Sequence, residues 1–286
     1  MNIVLGASGQ IGSMLVDNLL EKDPAIKAVV RSASKAQALK AKGIKTVIAD
    51  FMNADSLKDT FAGGSSLFML TPENPASPNH LKDIKTALNN IKEAVLLSGL
   101  KRITGLSSMG AHNGLGRGSL EASYLLEHTF DHINIRKIFV RPSYYFSNWL
   151  GYVELVKEHG ALPTFFPPDM KIPMVAPQDA AAFLARAMTG EFDEGPYEIS
   201  GPREYSSAEI ADVFGKVLNR SVAVQQIMPE DWEGALLQAG FTKDGAKNLM
   251  LMTQAVIDGK TDYETKNPVY LSMDFEAYLK KASNEI

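Results

Sequence analysis

Through the first half of the chain, short and nearly continuous apolar runs alternate with longer amphipathic stretches. The runs at 3–5, 26–30, 46–48, 67–70, 102–106 and 135–140 lack the in-and-out alternation of a half-solvated strand, which marks strands buried on both faces. Between them, 10–21, 34–42, 55–61, 79–98 and 119–131 repeat apolar residues at helical spacing. Strands and helices in this order form βαβ units, so the expected class is α/β: a Rossmann-like, doubly wound parallel sheet covered by helices on both sides.

The pattern changes at Arg141-Pro142. From Phe139 to Phe166 stand eight of the chain's 24 aromatic residues, and prolines at 163, 167, 168, 173 and 177 break the alternation. Residues 177–188 then read as an Ala-rich helix able to pack closely on the first lobe. A strand at 197–200, a helix capped by Ser206 or Ser207 with Glu209 nearby, a strand at 222–227 and a final helix near 272–282 complete the reading. The polar stretch 260–267, with Glu264, reads as a solvated connection. The expected division is a dinucleotide-binding lobe over 1–141, with 177–190 returning to it, and a discontinuous α/β substrate lobe made of 142–176 and 191–286.

Composition narrows the chemistry. Of 286 residues, 45% are hydrophobic and 22% charged, as in ordinary globular proteins. The 29 basic and 33 acidic residues leave a net charge of −4 with no basic concentration, which argues against direct nucleic-acid binding. No cysteine is present, which removes disulfides, thiolate metal sites and a cysteine nucleophile together. The N-terminal residues lack the basic and apolar regions of a signal peptide, and no window is apolar enough to span a membrane, so a cytoplasmic protein is expected.

The strongest chemical signal is Gly6-Ala7-Ser8-Gly9-Gln10-Ile11-Gly12, lying between the first strand and the first helix. A dinucleotide pyrophosphate needs a tight turn, backbone without a Cβ at closest approach, and free N–H groups at a helix start. Gly6, Gly9 and Gly12 meet these needs; a turn that merely lets the helix pack on the strand is the plainer alternative. At the end of the second strand stands Arg31, with Ser32, Ser34 and Lys35 beside it and no acid until Asp50. A cation there suits a 2′-phosphate, so NADP(H) is preferred and NAD(H) remains open. Asp50 could accept from the adenine amino group, with Phe51 flanking the ring.

Together with Pro177-Gln178-Asp179-Ala180-Ala181 and Tyr197-Glu198-Ile199-Ser200-Gly201-Pro202, these segments make an ordered set. The chain resembles the NmrA-like atypical short-chain dehydrogenases over nearly its whole length, in particular the NAD(P)H-dependent quinone oxidoreductases and triphenylmethane reductases. The resemblance implies a cofactor lobe and a smaller lobe with substrate between them. Carried over by position, Gly6, Ser8, Gly9, Gln10 and Ile11 match the pyrophosphate loop and Arg31 the 2′-phosphate contact. Asp50 and Phe51 match the adenine side, Leu70 and Thr71 the ribose and nicotinamide lining, and Ser107 a place near the nicotinamide.

Typical members of the wider family carry Tyr-x-x-x-Lys on the helix after the fifth strand, where a lowered phenol pKa supplies a proton. Here those positions hold Ser123 and Glu127. Glu127 fits the His-x-x-x-Glu of the nearer relatives and Ser123 departs from it; Ser123, Tyr124 and Glu127 are the catalytic candidates. Two-electron reduction of a quinone or conjugated dye is consistent with this gap, because hydride addition yields a weakly basic hydroquinone anion that water can protonate, or a neutral leuco product that needs no acid. Tyr144, Tyr145, Phe146 and Trp149 could stack a flat acceptor, although aromatics after a strand also make core. His128 and His132 have the spacing of helical metal ligands without a third partner, so no metal is expected. The expected function is NADPH-dependent reduction of a small conjugated acceptor. Alternatives are a non-catalytic NADP(H) sensor acting through a protein partner and, less favoured without the Tyr–Lys pair, a sugar-nucleotide epimerase; a homodimer is compatible with the sequence.

Overall fold

A computed structural model describes residues 1–57, 59–72, 74 and 76–283. The first half runs β1 (Asn2–Leu5), α1 (Gln10–Lys22), β2 (Ile26–Val30), α2 (Ala33–Ala41), β3 (Lys45–Ile48), α3 (Ala54–Leu57), β4 (Ser66–Leu70), α4 (His80–Leu96), β5 (Arg102–Leu106), α5 (Leu120–His128) and β6 (Arg136–Pro142). It continues as β7 (Tyr144–Tyr145), α6 (Val153–His159), β8 (Ala161–Thr164), β9 (Ile172–Val175), α7 (Pro177–Thr189), β10 (Gly195–Ser200), β11 (Glu204–Tyr205) and α8 (Ser207–Leu218). The chain closes with β12 (Ala223–Gln226), α9 (Trp232–Gln238), α10 (Lys243–Ile257), β13 (Val269–Tyr270) and α11 (Phe275–Ser283). Among these helices none is long and apolar enough to cross a membrane.

Eight strands form one parallel sheet in the order β13-β10-β6-β5-β4-β1-β2-β3. The direction of winding reverses between β1 and β4, and at such a switch point the strands' carboxyl ends leave a crevice for a ligand. One apolar layer fills the face under α1 and α7, with Val4, Leu15, Leu19, Ala180, Ala181 and Leu184 buried together. The opposite face packs Leu5, Leu67, Ile84, Ile91 and Leu126 under α4 and α5. Both layers explain why β1 is buried at every position.

The helix ends follow their local chemistry. Pro177 opens α7, where its missing N–H costs nothing, and Gly190 closes it in the left-handed region at φ 95°. Small residues along the buried face of α7 let it lie lengthwise against α1. On α8, Ser206 and Glu209 complete a reciprocal capping box, as the sequence suggests.

A third core belongs to the C-terminal half: Phe146, Trp149, Leu162, Met174, Phe214 and Phe275 pack with α6, α8 and α11 around the sheets β11-β9-β7 and β12-β8. Two expectations need correction. Residues 191–286 do not all belong to a second lobe, because β10 hydrogen-bonds to β6 and β13 to β10, extending the main sheet. Helix 55–61 reduces to Ala54–Leu57 followed by a turn at 59–61, with Lys58 outside the described residues. Segments β8, β9 and α10 were not legible: Pro163 and Pro173 interrupt the strand pattern.

Candidate active site

The glycine loop leaves β1 at the switch point, and its shape requires glycine. Gly6 adopts φ +63°, a Cβ on Gly12 would lie 2.1 Å from the Gly6 carbonyl oxygen, and one on Gly9 would lie 3.3 Å from it. Gly9 is the N-cap of α1, with no side chain to cap and no acid in the first turn. The first helical amides are therefore left for an anion, at the positive end of the helix dipole. Within the loop, Ser8 is half-buried and Ile11 is a core residue. Gln10 is exposed, and its Oε1 accepts a hydrogen bond from Ser147 Oγ at 3.3 Å, linking the loop to the aromatic segment.

At the end of β2 the Arg31 side chain is exposed and makes no hydrogen bond or ion pair among the described residues. Beside it, the Ser32 and Ser34 hydroxyls lie 3.2 Å apart. Asp50 is exposed but partly engaged, its Oδ1 accepting from Met52 N at 3.0 Å. Phe51 is 6% exposed and packs in the core layer with Leu57 and Phe61, which leaves little of its ring for an adenine to stack on.

The carboxyl ends of β5 and β6, beside β10, hold a buried charge network. Glu127 Oε1 accepts from Ser107 Oγ at 2.5 Å and from Arg141 Nε at 2.8 Å, while Oε2 accepts from Arg141 Nη2 at 2.7 Å. Both oxygens of the candidate acid Glu127 are thus engaged, as is the hydroxyl of Ser107. Arg141 Nη1 also bonds Glu264 Oε2 at 2.5 Å and lies 3.6 Å from Glu198 Oε1. Burial alone would lower the guanidinium pKa, but the hydrogen bonds and charges of Glu127 and then Glu264 hold it above its ordinary value. Glu264 is shifted below the usual carboxylate range, chiefly by that hydrogen bond.

Segment 260–267 is therefore no free connection. Glu198 accepts the Glu264 and Thr265 amides at 3.1 and 2.8 Å, and Gly110 at φ +81° fits closely under Thr261. The sequence pattern marks Arg141 only as the place where the alternation ends and does not join it to Glu127, Glu198 and Glu264. A cation ending a buried apolar strand was the available signal, because such a charge requires partners.

Of the other candidates, Leu70 packs against Gly6 and Thr71 is half-buried beside it. Ser123 is buried on α5, and the half-buried Tyr124 ring lies 4.1 Å from His128. His128 in turn pairs with Asp131 through Nδ1 at 2.8 Å. The aromatic quartet splits. Phe146 and Trp149 are fully buried in the C-terminal core, with the indole N–H directed to the Met174 sulfur at 3.4 Å, so neither offers a stacking face. Tyr144 and Tyr145 are half-buried, and burial pushes both phenols above their ordinary pKa.

The model of the NmrA-like family matches residues 2–279. The chain belongs to the NmrA-like family. This NmrA-like protein is 27% identical over 247 residues to the NAD(P)H azoreductase of Xenophilus azovorans, covering 84% of this chain and 82% of that protein. It is also 27% identical over 258 residues to quinone oxidoreductase 2 of Escherichia coli (strain K12), covering 87% and 85%. In fold it is similar to the Citrobacter sp. triphenylmethane reductase complexed with NADP(H), with TM-score 0.85 and 23% identity over 99% of this chain and 100% of that one.

Proposed function

We infer that this NmrA-like protein is an NADPH-dependent oxidoreductase that reduces a quinone or related conjugated acceptor by two electrons. The observation that carries the reading is the combination of an uncapped, acid-free helix start behind a glycine turn with an Arg31 that has no hydrogen-bond or ion-pair partner among the described residues at the end of β2. The loop amides would take the pyrophosphate and the guanidinium the 2′-phosphate, which favours NADP(H) over NAD(H). Asp50, Leu70 and Thr71 would line the adenine and ribose sides.

A bound nicotinamide would supply the hydride. The chain's part would be to position the acceptor, since Glu127 is already taken by Arg141 and Ser107 and no Tyr–Lys pair stands on α5. An acceptor whose reduced form is a weakly basic anion tolerates that lack, with its proton coming from water. Azo, quinone and triphenylmethane compounds, named for the three similar proteins, share this extended conjugation. Those names describe enzymes, which favours catalysis over a non-catalytic sensor.

The test is to mix the purified protein with NADPH or NADH and a panel of quinones, azo dyes and triphenylmethane dyes, following cofactor absorbance. Acceptor-dependent oxidation faster with NADPH is expected. Tight NADPH binding without oxidation by any acceptor would overturn the enzymatic reading.

A further inference from the structure

Tyr144 and Tyr145 form the two-residue strand β7, and successive side chains of a strand point to opposite faces. Tyr144 turns to the C-terminal core, its ring 6.0 Å from Trp149 and 5.8 Å from Phe166 between centroids, and its hydroxyl bonds to Asn148. Tyr145 turns the other way and packs against the core layer that contains Ala7 and Ile11 of the glycine loop and Ala180 and Ala181 of α7. Two residues further on, Ser147 is hydrogen-bonded to Gln10. Tyr145 is thereby tethered beside the glycine loop, on the side where β6 ends.

Its hydroxyl oxygen is buried and has no hydrogen-bond partner among the described residues. A buried phenol left unpaired is costly, so the Tyr145 hydroxyl calls for a partner. Burial also raises its pKa, so the group stays protonated and acts only as a donor or a neutral acceptor.

We propose that the Tyr145 hydroxyl donates a hydrogen bond to a carbonyl oxygen of a ligand held above the glycine loop, either the acceptor's or that of the nicotinamide carboxamide. The identity of those ligands rests on the proposed function. If the oxygen is the acceptor's, the bond stabilises negative charge as the acceptor gains a hydride and its displaced electron pair settles on oxygen. Water then protonates that oxygen, and Tyr145 keeps its own proton. This role differs from stacking, which needs the ring and not the hydroxyl.

Tyr145→Phe separates the two. It keeps the ring and removes an unpaired group, so the thermal midpoint of the ligand-free protein should hold or rise. An acceptor contact predicts a fall in kcat with menadione of about 10-fold or more at unchanged NADPH Kd. A carboxamide contact predicts an NADPH Kd raised by about 5-fold or more, with the Kd for 2′,5′-ADP, which lacks the nicotinamide, unchanged. Tyr144→Phe, whose hydroxyl serves the other lobe, should leave both quantities alone. Kinetics and affinities of Tyr145→Phe within twofold of wild type, or a lowered midpoint without ligand, would overturn the proposal while leaving the proposed function standing. Absence of NADPH binding by the wild-type protein would remove that function and this inference with it.

Discussion

Arg141, at the end of β6, grips Glu127 of α5 through two parallel hydrogen bonds, Nε to Oε1 at 2.8 Å and Nη2 to Oε2 at 2.7 Å. The cation that neutralises this helix carboxylate comes from the strand that follows α5. The pair is nearly buried, at 5% and 10% side-chain exposure, so each member depends on the other for solvation.

Removing one partner should therefore cost more stability than chemistry. Glu127→Ala leaves the guanidinium with Glu264 and Glu198 alone, and a loss of about 3–5 kcal/mol is expected from the stranded charge. Urea unfolding measures it. A near-wild-type midpoint combined with abolished NADPH oxidation would instead mark Glu127 as a catalytic group.

The Arg141–Glu264 contact gives a pH signature. Arg141 holds the folded-state pKa of Glu264 below the ordinary 4.5, so this pair contributes stability above that pH and loses it as pH falls through the lower folded-state value. Glu264 is 52% exposed, which limits the effect to about 1 kcal/mol or less. Thermal midpoints of wild type and Glu264→Gln should differ near pH 7 and converge as the pH falls below 4.5 and through the lower folded-state value. A gap that widens on acidification would contradict the assignment.

The exposed Arg31 side chain makes no hydrogen bond or ion pair among the described residues, so its loss should leave folding intact. Arg31→Ala should weaken NADPH binding by about 10- to 100-fold, the worth of a charge-assisted hydrogen bond to phosphate, while NADH affinity changes little. Fluorescence titration with the two cofactors gives the ratio directly. Equal losses for both would point away from a 2′-phosphate contact.

Gly12→Ala places a methyl 2.1 Å from the Gly6 carbonyl oxygen, and a backbone neighbour cannot swing aside. Either the loop shifts or α1 retreats from β1. NADPH affinity is expected to drop by at least about 10-fold even in the fraction that folds, and a crystal structure of the variant should show a displaced loop.

Trp149 offers the opposite contrast. As a core residue at 2% exposure, Trp149→Ala should destabilise by about 3–5 kcal/mol. Were it an acceptor platform, Trp149→Phe would raise KM for quinones strongly at little cost in stability.

Local signals read true where the chemistry is local. The runs that became β2 and β5 match residue for residue, although Lys27 and Arg102 stand within them. The glycine loop was legible because a turn with a left-handed residue followed by a helix start constrains its own sequence. The Ser206–Glu209 box and the Pro177 start are equally self-contained.

What the sequence by itself determined is thus the parallel sheet, the loop at its switch point and the cation at the end of β2. Tertiary structure alone decided the fate of side chains whose partners lie far along the chain. Glu264 meets Arg141 across 123 positions, Ser147 meets Gln10 across 137, and β10 joins β6 rather than a separate lobe. It also divided two adjacent tyrosines, sending one to the C-terminal core and the other toward the glycine loop. Spacing reports which residues share a face, but burial and pairing depend on what the rest of the chain brings to that face, and no local pattern encodes it.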